Sequence, residues 1–253
     1  MNRNCIVEAG GIPAILSVIS SGEPQIEEAG LQSLFELSLD DENKVGLVAE
    51  GCVDVIVEAL KASSMEVRIK AAIILTSLSL VDVNKATIGS HPGAISGLVK
   101  LLAEGNVRAK KESMNALCAL CMFHDNKPKA VLSGVIPLLL ALLMEGRGEP
   151  VEHALTVLDF LSTSAEGRLA IIREPALPTL VGLLRSGTPR SKEHSAAVLW
   201  SLCNNSKKYT LQAFNAGALD TCLSLMQGGT ARAKRKASLL VKAFKECDQW
   251  PKK

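Results

Sequence analysis

The sequence has few aromatic residues and almost no net charge. Five Phe, two Trp and one Tyr make up 3% of its 253 residues, and 28 Lys and Arg nearly balance 26 Asp and Glu. This balance gives no support to nucleic-acid binding, which relies on a basic surface. Hydrophobic residues account for 47% of the chain, and together with the low net charge this excludes a disordered polypeptide.

Long apolar runs and a cysteine framework are also missing. No uninterrupted apolar run approaches the ~18 residues of a membrane span, and the start, MNRNCIVEAGGIP, does not resemble a signal peptide. The seven cysteines are odd in number and scattered through apolar segments, so we interpret them as free thiols of a reducing compartment. We expect a cytoplasmic protein, with the nucleus also open as a location.

Leucine and alanine are abundant, at 37 and 29 residues, a composition more typical of helices than of sheets. Small and apolar residues recur in a common register every 41 or 42 positions. The two clearest columns are Gly10, Gly51, Gly93, Gly134, Pro175 and Gly217, and Leu34, Leu75, Leu117, Leu158, Leu199 and Val241. A repeat of this length cannot bury its own apolar face, so six copies are expected to stack.

Each copy breaks into three helical segments. The first, such as NKVGLVAEG at 43–51, ends at a glycine suited to a left-handed helix stop, and the other two carry apolar residues at i, i+3, i+4 and i+7. Ser63 with Glu66 predicts a capping box before the third segment of the second copy. The pattern predicts an all-α, right-handed superhelical solenoid of armadillo type, one domain over 1–253, with repeats at about 2–42, 43–83, 84–125, 126–166, 167–208 and 209–253.

Three stretches resemble the armadillo domains of plant U-box ubiquitin ligases. They are EAGGIPAILSVISSGEPQIEEAGLQSLFELS at 8–38, GLLRSGTPRSKEHSAAVLWSLCNN at 182–205 and QGGTARAKRKASLLVKAF at 227–244. The resemblance implies a domain that binds substrates or regulators of a ligase, with receptor-type kinases or other ubiquitination substrates as partners. No U-box precedes the repeats, so we expect an excised domain or an armadillo-only relative. An armadillo-only adaptor is the alternative function.

Trp200 and Asn204 are the leading candidates for partner contact. Their WxxxN spacing places both on one side of a third helix, one turn apart. Armadillo proteins that carry nuclear-import cargo repeat a similar step along the array, where it holds an extended basic peptide. Here the Trp column is Phe35, Thr76, Cys118, Asp159, Trp200 and Lys242. Since one copy alone keeps the step, an importin-like receptor for basic peptides is disfavoured, and Trp200 either contacts a ligand or fills a gap between third helices.

Helical phase adds further residues to a candidate partner-binding groove along the third helices. They are Glu193, Asp159, Glu152, Asn115, Phe35 and Gln32. Several are acidic, whereas the end of the chain is basic: residues 229–253 carry eight Lys and Arg against two carboxylates. The basic C-terminal patch, comprising Arg232, Lys234, Arg235 and Lys236, either meets an acidic partner, a phosphopeptide or nucleic acid, or is the polar outer face that an end repeat needs. Sparse aromatics weaken the nucleic-acid alternative further.

No residue pattern predicts catalysis, a cofactor or a metal. Cys118 and Cys121 form a CxxC inside an apolar third segment without a second pair nearby, so buried thiols are favoured over ligands. His153 and His194 occupy one column of consecutive repeats, ~10 Å apart at helix-packing distance, too far to share a metal ion. We expect both to be helix-surface histidines. The chain by itself is not expected to be an enzyme, although its parent protein is open as a ubiquitin ligase.

Overall fold

The computed structural model describes residues 3–21, 23–145, 149–204 and 206–246, and its regular structure in these ranges is α-helical throughout. The chain divides into two compact units, Met1–Val135 and Ile136–Lys253. The division falls inside the fourth predicted repeat, between its first and second helices.

The first unit holds three three-helix repeats and the first helix of a fourth. Within each repeat the second helix packs on the third, and the third helices pack side by side, α3 against α6 and α6 against α9. The helices are α1 (Arg3–Glu8), α2 (Gly11–Ile19), α3 (Pro24–Ser38), α4 (Asp41–Ala49), α5 (Cys52–Ala59), α6 (Met65–Leu78), α7 (Asp82–Ser90), α8 (Ala94–Glu104), α9 (Val107–Cys121) and α10 (Asn126–Leu132).

The second unit continues the same order of helices. Its third helices also pack side by side, α12 against α15 and α15 against α18, and each of the last two packs on the second helix of its own repeat. The helices are α11 (Val135–Glu145), α12 (Glu149–Ser162), α13 (Ala165–Arg173), α14 (Ala176–Ser186), α15 (Pro189–Cys203), α16 (Lys207–Asn215), α17 (Ala218–Gly228) and α18 (Ala231–Lys245).

The leucine column forms the core, as the repeat predicts. Its six members are at most 5% exposed: Leu34, Leu75, Leu117, Leu158, Leu199 and Val241. One such side chain per third helix, buried against its neighbours, is what a stack of interdependent repeats requires. In the described ranges no single helix is both long and apolar enough to cross a membrane, and one bent pair, Asn126–Leu132 with Val135–Glu145, meets those criteria jointly by length and composition.

Four glycine helix stops adopt the predicted left-handed conformation, whereas one helix stop and one N-cap differ from the prediction. Gly10, Gly51, Gly134 and Gly217 adopt positive φ, whereas Gly93 has φ −93°. There the main-chain N–H of Gly93 donates to Nδ1 of His91 at 3.1 Å, which closes the turn without a left-handed residue. The N-cap of α6 is Ser64 rather than Ser63, because the Ser64 hydroxyl accepts from the N–H of Val67.

Buried asparagines join consecutive repeats in the first unit. Nδ2 of Asn84 donates to the carbonyls of Lys44 and Leu78, both in the preceding repeat and both at 3.0 Å. Asn126 makes the equivalent pair of bonds one repeat later, at 2.8 and 3.0 Å. Both side chains are almost completely buried, so these bonds satisfy main-chain carbonyls that water cannot reach.

Candidate functional site

Trp200 and Asn204 lie together at the carboxyl end of α15. The N–H of Asn204 donates to the carbonyl of Trp200 at 2.9 Å, so the two residues are one helical turn apart, as their spacing predicts. Asn204 is exposed and Trp200 is partly exposed. In the described part of the chain, the Trp200 ring stacks on no other aromatic ring. Part of the indole is therefore available to a partner.

Three candidates belong to the first unit and keep their side chains accessible. Gln32 is exposed on α3 and donates to Glu36 of the same helix at 3.0 Å, and Phe35 beside it is partly exposed. Asn115 on α9 is partly exposed and donates to Glu112 at 3.1 Å. These bonds of Gln32 and Asn115 stay within their own helices, so exchanging them for bonds to a partner would not disturb contacts between repeats.

Asp159 on α12 is buried, in contrast to the open groove position that helical phase predicts. It is 7% exposed, and its Oδ2 accepts from Nδ1 of His194 at 2.9 Å and from Nη2 of Arg232 at 2.6 Å. His194 is likewise not a surface histidine: it is 9% exposed, with Nε2 3.3 Å from the hydroxyl of Thr156. A buried carboxylate needs such partners, and His194 and Arg232 provide them.

Glu152 and Glu193 each contact the start of the next third helix. Thr188, the N-cap of α15, accepts from the N–H of Ser191 and donates to Oε1 of Glu152 at 2.5 Å. Thr230, the N-cap of α18, likewise donates to Oε2 of Glu193. Each threonine thus caps its own helix and ties it to the preceding repeat. The recurrence of Thr188 and Thr230 at repeat spacing was the sequence signal for this contact.

Arg232 connects helices that are two repeats apart. From α18 its Nη2 reaches Asp159 on α12, while Nη1 lies 3.3 Å from Oε1 of Glu193 on α15. Neighbouring packed helices lie ~8–10 Å apart, so a contact from one arginine side chain of α18 to α12, two helices away, indicates that this face curves inward. This face of α12, α15 and α18 is therefore the concave side of the second unit. We call Asp159, Glu193, His194 and Arg232 the arginine network.

Charge within the arginine network favours the ionised forms of Glu193 and Arg232. Burial alone would raise the pKa of Glu193, but hydrogen bonds from Thr230 and Arg232, with the positive charge of Arg232, hold that pKa below its usual value. Burial alone would lower the pKa of Arg232, and its bonds and charge pairing with Asp159 and Glu193 raise it instead. Two of the carboxylates that suggested an acidic groove, Asp159 and Glu193, are therefore already paired with a cation of the same chain.

Replacing Glu193 with Gln should make the second unit less sensitive to acid. Because folding lowers the Glu193 pKa, its carboxylate stabilises the folded chain above the unfolded pKa of about 4.3, and this contribution is lost as pH falls through the lower folded pKa. Urea unfolding should show Glu193→Gln less stable than wild type by up to ~1 kcal/mol near neutral pH, and closer to wild type at about pH 3. Glu50→Gln, the same substitution at an exposed position, is the control for the loss of one carboxylate charge. An equal difference at both pH values would contradict the assignment.

Among the described residues, one cation of the basic C-terminal patch forms ion pairs with carboxylates and the other three form none. Arg232 is paired within the arginine network, whereas Lys234 and Arg235 are exposed on α18. Lys236 is partly buried, and burial together with the charges of Arg232 and Arg235 lowers its pKa, against the opposing effect of Asp159. Lys252 and Lys253 lie outside the described residues.

Cysteines and histidines do not form a reactive site in the described ranges. No group of three His, Cys, Asp or Glu side chains there could hold a metal ion. Cys121 is buried, and burial, followed by the influence of Cys118, raises the pKa of its thiol to about 12. Burial likewise raises the pKa values of Cys52 and Cys222 to about 12. These thiols are therefore protonated near neutral pH and weak as nucleophiles or ligands.

Comparison with known families agrees with the armadillo-type repeats. The profile of the plant U-box protein ARM repeat region matches residues 1–253. U-box domain-containing protein 8 of Arabidopsis thaliana is 48% identical over 137 residues, which cover 54% of this chain and 37% of that protein. U-box domain-containing protein 18 of the same plant is 30% identical over 141 residues, covering 54% of this chain and 20% of that protein. The matched segments thus span about a third or less of these relatives.

Solved structures agree at the level of the fold. Computationally designed armadillo repeat proteins for modular peptide recognition align over 92% of this chain and 99% of theirs, with a TM-score of 0.83 and 20% identity. A designed armadillo repeat protein in complex with the peptide (KR)4 aligns over the same shares, with a TM-score of 0.81 and 20% identity. At this sequence identity, the structural similarity establishes the armadillo-repeat fold and nothing finer.

Proposed function

The chain belongs to the plant U-box protein ARM repeat region family, and on this basis we propose that it binds protein partners of a U-box-type ubiquitin ligase and brings them to ubiquitin transfer. The observation that carries the proposal is the family match over the whole chain. An array of stacked repeats offers extended surfaces for protein recognition. The concave side of the second unit, with Trp200 and Asn204 accessible, is where we assign the leading contact.

Two features favour recognition of an extended segment or helix of the partner. The third helices line up side by side within each unit, so a segment lying across them meets a new helix at every repeat. The designed armadillo repeat protein in complex with (KR)4 holds a peptide, which supports peptide binding as the mode for this fold. Receptor-type kinases are among the partners that we propose.

Removing Trp200 and Asn204 together should weaken partner binding without unfolding the chain. A partly exposed tryptophan at an interface typically accounts for about 2 kcal/mol, so the Trp200→Ala, Asn204→Ala double variant should bind roughly thirtyfold more weakly. Partners can be cross-linked to the chain in plant extract, identified, purified and measured by calorimetry. Leu132→Ala removes an apolar side chain that is 87% exposed on α10 and should leave affinity unchanged.

Thermal unfolding separates recognition from packing. The double variant should melt close to wild type, because Asn204 is exposed and the indole keeps exposed surface. A lower melting temperature with unchanged affinity would instead identify Trp200 as filler between third helices and remove it from the binding face.

The ligase assignment needs its own experiment. The chain, joined downstream of the U-box of a relative, should direct ubiquitin onto the purified partner in a reconstituted reaction, and the double variant should reduce transfer in proportion to its loss of affinity. The chain without a U-box serves as the control and should transfer none. Partner binding without transfer in the joined protein would favour the armadillo-only adaptor.

A further inference from the structure

Two carboxylates on the concave side of the second unit, Asp159 and Glu193, are already engaged within the chain and closed to a basic ligand. Asp159 is 7% exposed and accepts hydrogen bonds from both His194 and Arg232. Glu193 is held by Thr230 and Arg232. A lysine or arginine from a partner would have to displace Arg232, which is attached to the same chain and already in place. Intramolecular pairing of this kind raises the barrier to basic segments.

The charge of equivalent positions reverses in the last repeat. Glu152 on α12 and Glu193 on α15 correspond to Arg235 on α18, and Asp159 corresponds to Trp200 and then to Lys242. The helix α18, ARAKRKASLLVKAFK, carries six cations and no carboxylate. The third helices of this unit therefore run from acidic at α12 to basic at α18.

Besides Lys234, three cations of α18 have no ion-pair partner in the part of the chain that the structure describes: Arg235, Lys236 and Lys242, which share one helix face at i, i+1 and i+7. We call these three the cationic face. Lys236 is partly buried beside Arg232 and Arg235, and burial with this crowding lowers its pKa. An anion placed there would relieve the repulsion among like charges and favour the charged form of Lys236. Lys242 follows Trp200 at the equivalent position of the next packed helix.

We propose that the concave side of the second unit binds an extended, Asp- and Glu-rich segment of a partner protein. The cationic face pairs with the carboxylates of this segment beside Trp200. Arg232 determines the preference for acidic over basic segments because it is paired with Asp159 and Glu193. The proposal rests on the partner-binding function given above and specifies the chemistry of the partner. Adjacent third helices lie ~8–10 Å apart, about three residues of extended chain. A segment crossing α15 and α18 can thus present a side chain to each helix.

Peptide binding to the full chain tests the charge preference directly. Fluorescence anisotropy would compare labelled octapeptides of alternating Asp and Glu and of alternating Lys and Arg, with a single-stranded oligonucleotide as a third probe. Wild type should bind the acidic peptide about tenfold more tightly than the basic one, with affinity falling as salt rises. Tighter binding of the basic peptide, or of the oligonucleotide, would overturn the proposal.

Lys236→Gln on the cationic face and Glu193→Gln in the arginine network should change the affinity for the acidic peptide in opposite directions. Lys236→Gln should weaken acidic-peptide binding about fivefold, the upper range for a partly exposed pair. Glu193→Gln removes one of the two carboxylates paired with Arg232 and should strengthen acidic-peptide binding. Lys207→Gln, an equal charge change at an exposed position on α16, is the control and should have little effect. Equal effects of Lys236→Gln and Lys207→Gln would contradict the assignment.

Arg232→Gln is the test of selectivity. Releasing Asp159 and Glu193 should weaken acidic-peptide binding and strengthen basic-peptide binding, narrowing or inverting the tenfold preference. Circular dichroism would confirm folding, and Glu193→Gln carries the test if Arg232→Gln unfolds. If no variant alters peptide preference while the Trp200→Ala, Asn204→Ala variant still loses its natural partner, the acidic specificity fails and the partner-binding function stands.

Discussion

Replacing Gly89 with alanine should destabilise the first unit by about 3 kcal/mol, far more than an exposed helix substitution. A Cβ at Gly89, on α7, would lie 2.0 Å from Oδ1 and 2.2 Å from Cγ of Asn126. The Asn126 amide cannot move aside freely, because it is fully buried and donates to the carbonyls of Lys85 and Leu120. Either the clash remains, or both bonds to the preceding repeat are lost and the buried Asn126 amide is left without its acceptors.

Urea unfolding of a double-mutant cycle measures this coupling. Asn126→Ala alone should cost about 2–3 kcal/mol, since it removes two buried hydrogen bonds to the preceding repeat. In that background Gly89→Ala should add little, because the amide it would strike is gone, so the two effects should not sum. Gly46→Ala on α4 is the matched control, as its Cβ meets no atom within 4 Å, and it should be neutral or stabilising. A Gly89→Ala effect as small as that of Gly46→Ala would refute the clash.

The repeat pattern predicts the fold because each copy must bury the same face. Leu34 and its equivalents are buried as predicted, since a 41- or 42-residue register fixes which side chain meets the next repeat. The asparagine contacts were not predicted, although Asn84 and Asn126 are visible at repeat spacing. A pattern records that a residue recurs, whereas its bonds to main-chain carbonyls depend on how closely two repeats approach.

The relative placement of Trp200 and Asn204 could be predicted from the sequence, whereas the burial and pairing of Asp159 could not. The WxxxN step placed Trp200 and Asn204 one turn apart because helix geometry alone determines that relation. Helical phase could not show that Asp159 is buried under Arg232, because the two residues are 73 positions apart and meet only through the curvature of the unit. His194 was misassigned for the same reason, since its buried partner lies on another helix.

Gly167 is a position where the repeat pattern favours the wrong residue. Its substitution should destabilise the second unit by about 3 kcal/mol or more. The register aligns Gly167 with Asn84 and Asn126, so a consensus argument would favour Gly167→Asn. At Asn126 the side-chain amide bonds the carbonyl six residues earlier. At Gly167 the corresponding carbonyl, that of Leu161, would lie 1.9 Å from any Cβ. The Ser164 hydroxyl donates to this carbonyl instead and accepts from the Gly167 N–H.

Both Gly167→Ala and Gly167→Asn should therefore lower the free energy of unfolding, the asparagine variant despite matching its column. The clash is with main chain, which a rotamer change cannot relieve, so no second-site truncation of a side chain should rescue it. Gly182→Ala on α14 is the control within the same unit, because its Cβ meets no atom within 4 Å, and urea unfolding should find it neutral or stabilising. A stabilising Gly167→Asn would mean that the fifth repeat can adopt the asparagine arrangement of the third and fourth, and that the close approach of α13 to Leu161 is not obligatory.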